Sequence, residues 1–168
     1  MIRALNCALS ILTRFSLGKV NYAFKLSPWI AFLFSLIVYW LTVDPGASYW
    51  DCPEYLISAI KLEIGHPPGN PGWMLTHRFV SSFFTDPALQ VKVINMMSGV
   101  FTALAVMILC SISISMMRWI CPRDGKSIWH TLSISVSSVA GSLCFGWSDS
   151  PWYSAVEAEV YAMSLFLS

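Results

Sequence analysis

The sequence predicts an all-α integral membrane protein, and three observations predict it. Of its 168 residues, 56% are hydrophobic and only 11% are charged, against about 25% charged in a soluble globular domain. Uncharged stretches cover 26–43, 93–117 and 127–148, each close to or beyond the ~20 residues that cross a bilayer as a helix. Between the first two lies a polar loop, 44–90, rich in proline, glycine and acids. The mean hydropathy of +0.62 agrees. The lipid bilayer is therefore the first partner, and a net charge of +1 gives no reason for nucleic acid to be another.

The elements follow in order. Residues 1–27 carry Arg3, Arg14, Lys19 and Lys25 and no acid, with Ile2, Leu5, Leu9 and Leu12 at helical spacing. That pattern predicts a basic amphipathic helix on the cytoplasmic membrane surface. It is not a signal peptide, because the basic residues interrupt any apolar core. The first span, 26–43, has Trp29 near one end and Tyr39-Trp40 near the other, as interfacial anchors. Pro28 is expected in its first turn.

The loop 44–90 has structure of its own. Asp51 is expected to cap a short helix, with Pro53 in the first turn and Glu54 at the third position. Leu56, Ile57, Ile60 and Ile64 form its apolar face and Gly65 is the expected stop. His66-Pro67-Pro68-Gly69 cannot be helical. Residues 73–84 read as a second short helix with His77 and Arg78 as its polar positions. Both are too short to span and are expected on the membrane face. Spans two and three cover 93–117 and 127–148, and a fourth apolar segment, about 152–168, carries Glu157 and Glu159. The chain stops inside that apolar run, which reads as the N-terminal part of a longer protein.

Lysine and arginine bias sets the orientation. Seven of the ten basic residues lie in 1–27 and 118–126, so those ends are expected in the cytoplasm. The loop 44–90, the 148–153 turn and eight of the nine acids then face the other side. Acids from two distant parts of the chain become available to one site.

Asp51 and Glu54, three apart, share a helix face. A carboxylate beside another in a partly dry site can act as a general base; the plainer reading is a helix cap. His66 is held in a rigid turn, where it can orient a carboxylate or bind phosphate, or simply face water. Lys61 and Arg78 can meet an anionic phosphate or lie along headgroups. Glu157 and Glu159 are costly in an apolar helix and, two apart, would project about 200° from each other, so that one at most faces a site. The five cysteines have no metal-ligand spacing, and Cys110 and Cys144, in apolar runs, are expected to pack.

Four motifs in order carry a resemblance. They are Trp50-Asp51-Cys52-Pro53-Glu54-Tyr55, the run Lys61 to Gly69, Asn95-Met96-Met97-Ser98, and Trp152 to Met163. Together they are similar to the domain of unknown function 2723 family, which includes the eukaryotic transmembrane protein 260, a protein O-mannosyltransferase. The resemblance covers about 28–168, and Pro53 stands where that family usually has glycine. It implies the N-terminal part of a GT-C type glycosyltransferase, moving sugar from a polyprenyl-phosphate donor to a hydroxyl, Ser or Thr of an exported protein. The reaction would take place on the non-cytoplasmic face, in a bacterial inner membrane or, in a eukaryote, the endoplasmic reticulum. It implies Asp51 and Glu54 as catalytic groups. His66, Lys61, Arg78, Glu159 and Glu157 would contact substrate. No protein cofactor is specified, and the residues set no requirement for a divalent metal. The alternatives are a transporter or assembly protein using the same acids, or an inactive remnant.

Overall fold

The computed structural model describes residues 2–48, 50–65, 69–121 and 127–168, with side chains from Tyr22 onward. Seven helices follow one another: α1 (Ile2–Thr42), α2 (Cys52–Lys61), α3 (Pro71–Ser81), α4 (Pro87–Ile120), α5 (Ile128–Gly146), α6 (Asp149–Val156) and α7 (Val160–Leu167). No strand occurs among the described residues. Three helical segments are long and apolar enough to cross a membrane: Tyr22–Thr42, Pro87–Ile120 and Ile128–Gly146. The chain is an all-α membrane protein.

α1 departs from the expected boundaries. It is continuous from Ile2 to Thr42, so the basic segment 1–27 extends the first span instead of forming a separate surface helix. Pro28 sits inside the helix. The neighbouring turn stays closed with help from Ser27, whose hydroxyl donates to the Ala23 carbonyl at 2.8 Å.

α4 begins six residues before the expected span. Asp86 adopts extended backbone and its carboxylate accepts from the Ala88 N–H at 3.1 Å, with Pro87 in the first turn. This is the capping arrangement that starts helices. At 34 residues α4 is about 50 Å long, more than a bilayer core needs. It is the post against which every other helix except the distal part of α1 is set: α1, α5, α6, α7, α3 and α2 all touch it.

The bundle interior is built from small residues. On α5, Thr131, Ser135, Ser138 and Ser142 recur at helical spacing and are all buried. Ala31, Val106, Cys110, Ile114 and Ile134 form the apolar part of this core. Small side chains let helices approach closely where lipid offers no competing hydrophobic drive. At the other end, Tyr39 is fully buried and its hydroxyl donates to the Gly146 carbonyl at 2.6 Å, tying the end of α1 to the end of α5. Cys110 is buried as expected from its apolar run, whereas Cys144 faces outward.

A second buried cluster, Cys52, Tyr55, Leu56, Ala59, Trp73, Ile94 and Ala158, lies where α2 and α3 dock on the N-terminal end of α4. The loop helices thus rest on a core of their own. α2 stops at Lys61, four residues before Gly65, with Leu62 in the left-handed region at φ 57°. Arg78 explains the early stop: its guanidinium donates to the Ile60 carbonyl, taking up an acceptor that a helix end leaves open.

The apolar segment 152–168, expected as one helix, is broken: α6 and α7 have eight residues each, about 12 Å, and α7 runs to Leu167. The chain between them, Glu157 to Glu159, is extended, at φ −128°, ψ 165° for Glu157 and φ −128°, ψ 140° for Glu159.

Candidate functional site: an acidic cluster at one end of the bundle

The site begins with the strap that leaves α1. Asn95, fully buried on α4, donates from its amide nitrogen to the carbonyls of Asp44 and Gly46, both at 2.9 Å. The Asp44 N–H donates to the Val156 carbonyl at 3.0 Å. Two residues after Gly46, the Ser48 hydroxyl donates to the Glu157 carboxylate. Residues 44–48 are thereby stitched to the break between α6 and α7, more than a hundred positions away in sequence.

The break itself aims the acids. In extended chain, alternate side chains point to opposite sides. Ala158 is fully buried in the core beneath α2 and α3, so Glu157 and Glu159 leave the chain on the other side together. The 200° separation of a helix does not apply. Both carboxylates are half-buried. Burial, then the charges of Glu157 and Asp51, raise the pKa of Glu159 to about 6. Asp51 therefore lies close enough to Glu159 for its charge to be felt.

Asp51 stands at the start of α2 with helical backbone, φ −83° and ψ −13°, and its side chain makes no capping hydrogen bond. A side-chain cap requires extended backbone at that position. The capping reading of this carboxylate is thus not realised, and Asp51 is exposed. Trp50 beside it has φ 66° and is 94% exposed. A left-handed backbone is strained for a bulky residue. Glu54 lies one turn on and is half-buried. Its carboxylate faces Gly65: a β-carbon placed there would come within 3.4 Å of Oε1. Glu54 therefore sits beside the residue that precedes His66. His66 itself, with Pro67 and Pro68, lies outside the described residues.

Two contributors were not singled out in the sequence. The Tyr55 phenol is pushed toward its protonated form by burial and then by Glu159, Asp51, Tyr161 and Glu54, in that order. It is the point on which the acids of both chain segments converge. His77, expected as a polar spot on a surface helix, is fully buried. Its ring stacks on Trp73 at 4.0 Å and its Nδ1 lies 2.7 Å from the Trp73 carbonyl. Burial lowers its pKa to about 4, so it is neutral at pH 7. Trp73 in turn donates its indole N–H to the Glu159 carbonyl at 3.2 Å and packs on Tyr55 at 5.4 Å. Spacing offered one hint, since Trp73 and His77 are four apart on one helix face.

The two cations are elsewhere. Lys61 pairs with Glu63 at 3.9 Å, both exposed, and Arg78 is engaged with Ile60. They mark the end of α2 that lies about 15 Å along its axis from Asp51. Among the described residues, no group of three or more His, Cys, Asp and Glu side chains has the geometry to hold a metal ion. A groove of about 630 Å³ is bounded by Phe145, Pro151, Ser154, Tyr161 and Leu165, and of these Tyr161 also acts on Tyr55.

A helical membrane protein that gathers carboxylates from the loop after its first span and from a broken helix at one end of the bundle belongs to a recognisable class. The chain is a member of the protein O-mannosyl-transferase TMEM260 N-terminal domain family, whose profile matches residues 51–168. The match begins at Asp51 and contains Glu54, Glu157 and Glu159. No curated protein and no solved structure matches the chain.

Proposed function

We propose that this chain forms the donor-and-acceptor end of a GT-C type glycosyltransferase, of the kind named domain of unknown function 2723. It would move a sugar from a polyprenyl-phosphate donor to a Ser or Thr hydroxyl of an exported protein, on the non-cytoplasmic face. Family membership supports the transferase class. The observation that carries the site assignment is the convergence of Asp51, Glu54 and Glu159 on Tyr55, with Glu157 beside Glu159.

In this reading Asp51, exposed and not spent on a cap, takes the proton from the acceptor hydroxyl. The oxygen forms a bond to the anomeric carbon as the bond from that carbon to the phosphate oxygen breaks. The polyprenyl phosphate leaves with the electron pair, and the proton remains on Asp51. Glu159, whose proton affinity is raised, and Glu54 hold sugar hydroxyls, and Trp50 offers an aromatic face to the ring. The apolar groove bounded by Tyr161 and Leu165 seats the start of the polyprenyl chain. Lys61, at the far end of α2, and Arg78, on α3 beside that end, suit lipid headgroup phosphates better than the leaving group. His66 is assigned the orienting of the sugar or of Asp51.

The test is Asp51→Asn in a full-length protein carrying this segment, with transfer measured from a polyprenyl-phosphate mannose donor to a Ser/Thr peptide. Transfer should fall by at least about a hundredfold, the scale of a lost general base, with helicity and membrane insertion retained. Undiminished transfer would remove Asp51 from the chemistry.

A further inference from the structure

We propose that the groove between α1 and α4 at the basic end of the bundle is a binding site for an anionic glycerophospholipid. It is remote from the acidic cluster and independent of the transferase reading. The groove has a volume of about 450 Å³ and is lined by Lys25, Trp29, Ser111, Ser115 and Arg118, with Pro28 and Met107 among its apolar walls.

Charge decides the occupant. Lys25 and Arg118 are both exposed, and the ion pair found among the described residues is Lys61 with Glu63. All the described acids belong to the loop 44–86 or to 149–159, at the other end of the bundle. Arg118 is held with its guanidinium 5.0 Å from the centre of the Phe24 ring, an interaction that fixes the group without neutralising it. Two cations at a groove mouth on a membrane protein, one of them held in place, meet lipid phosphate before any other anion, at about a Debye length or less from the leaflet surface.

The rest of the groove fits a lipid better than a free anion. Ser111 and Ser115 donate their hydroxyl protons back to the carbonyls of Met107 and Ser111, each at 2.9 Å. Their oxygens are left as acceptors, matched to the hydroxyls of a glycerol or inositol headgroup and not to a bare phosphate. Below them the walls turn apolar along Met107, Ile114 and Pro28, the direction an acyl chain takes. Trp29, 55% exposed at the rim, is placed at the level where indoles meet glycerol ester groups.

The purified chain in detergent, examined by native mass spectrometry with added dioleoylphosphatidylglycerol or dioleoylphosphatidylcholine, tests this. The anionic lipid should be retained and the zwitterionic one not. In Lys25→Gln/Arg118→Gln retention should fall about tenfold, from the loss of two near-surface cations. The control Lys92→Glu, with the same change in net charge at an exposed position of α4, should bind as the parent does. Equal retention of the two lipids, or an equal drop in the control, overturns the site. Displacement by millimolar inorganic phosphate overturns the lipid assignment. Should the double variant fail to fold by circular dichroism, the parent chain decides. Dibrominated phosphatidylglycerol should quench the fluorescence that Trp29→Phe removes more than dibrominated phosphatidylcholine does, and equal quenching overturns the proposal.

Discussion

The backbone N–H of Asp44 donates to the carbonyl of Val156 at 3.0 Å, and through this bond the loop that follows α1 meets the acids of the far end of the chain. Val156 is the last residue of α6, and its carbonyl would otherwise be one of the open acceptors of a helix end. Four residues on, Ser48 adds a second bond, to the Glu157 carboxylate.

The pH dependence of stability should report Glu159. Its pKa rises from 4.5 to about 6 in the folded chain, so the folded state binds more protons than the unfolded state between those values. Stability therefore falls as pH rises through that window. Glu159→Gln should stabilise the protein at pH 7.5, by roughly 1 kcal/mol or less once solvent screening of a half-exposed group is allowed for. It should have little effect at pH 4. Melting curves of both forms at the two pH values check this, and a gain of the same size at pH 4 would contradict it.

Asn95→Leu keeps the volume and removes both donors to the strap. The Asp44 and Gly46 carbonyls lose their partner, at a cost of about 2–3 kcal/mol if they stay buried. We expect a lower melting temperature and, in a full-length protein, a fall in transfer. Asn95→Gln should recover part of both. A melting temperature equal to that of the parent would show the strap to be held by other contacts.

Gly146 has no room for a side chain. A β-carbon there would lie 2.5 Å from Val106 Cγ2 and 2.9 Å from the Tyr39 hydroxyl. Gly146→Ala should destabilise the bundle by about 1–3 kcal/mol. Val106→Ala in the same chain removes the closest clash, so the double variant should lose less than the sum of the two singles. Additive losses would place the cost in the backbone.

Orientation can be read by thiol labelling. Cys121 is exposed at the end of α4, and Ser82 follows α3 at the other end. An impermeant maleimide applied from the non-cytoplasmic side should label Ser82→Cys and spare Cys121. Labelling of Cys121 from that side would invert the topology. Gly125, in the same basic loop, lies outside the described residues.

The sequence by itself determined the class of the protein. Long uncharged runs with aromatic ends leave a chain no alternative but helices in lipid, because only a helix satisfies its own backbone there. The start of α4 was also open to local reading, since Asp86-Pro87 is a cap and a first turn, although the uncharged run alone set it six residues too late. The extent of α1 was not, because charge marked a boundary at residue 27 that a continuous helix ignores. The acidic residues were visible as types but not as a site. Nothing local breaks the chain at Glu157 to Glu159: Ala-Val-Glu-Ala-Glu-Val has no proline and no glycine and contains strong helix formers. The break is sustained by contacts from elsewhere, Asp44 on the Val156 carbonyl, Ser48 on the Glu157 carboxylate, Trp73 on the Glu159 carbonyl and Ala158 in the core. Those partners are remote in sequence, and the hydrogen bonds they supply replace the ones a continuous helix would have made. Tertiary structure therefore decided that two glutamates expected on opposite faces of one helix leave the chain on the same side, Glu157 engaged by Ser48 and Glu159 within reach of the charge on Asp51.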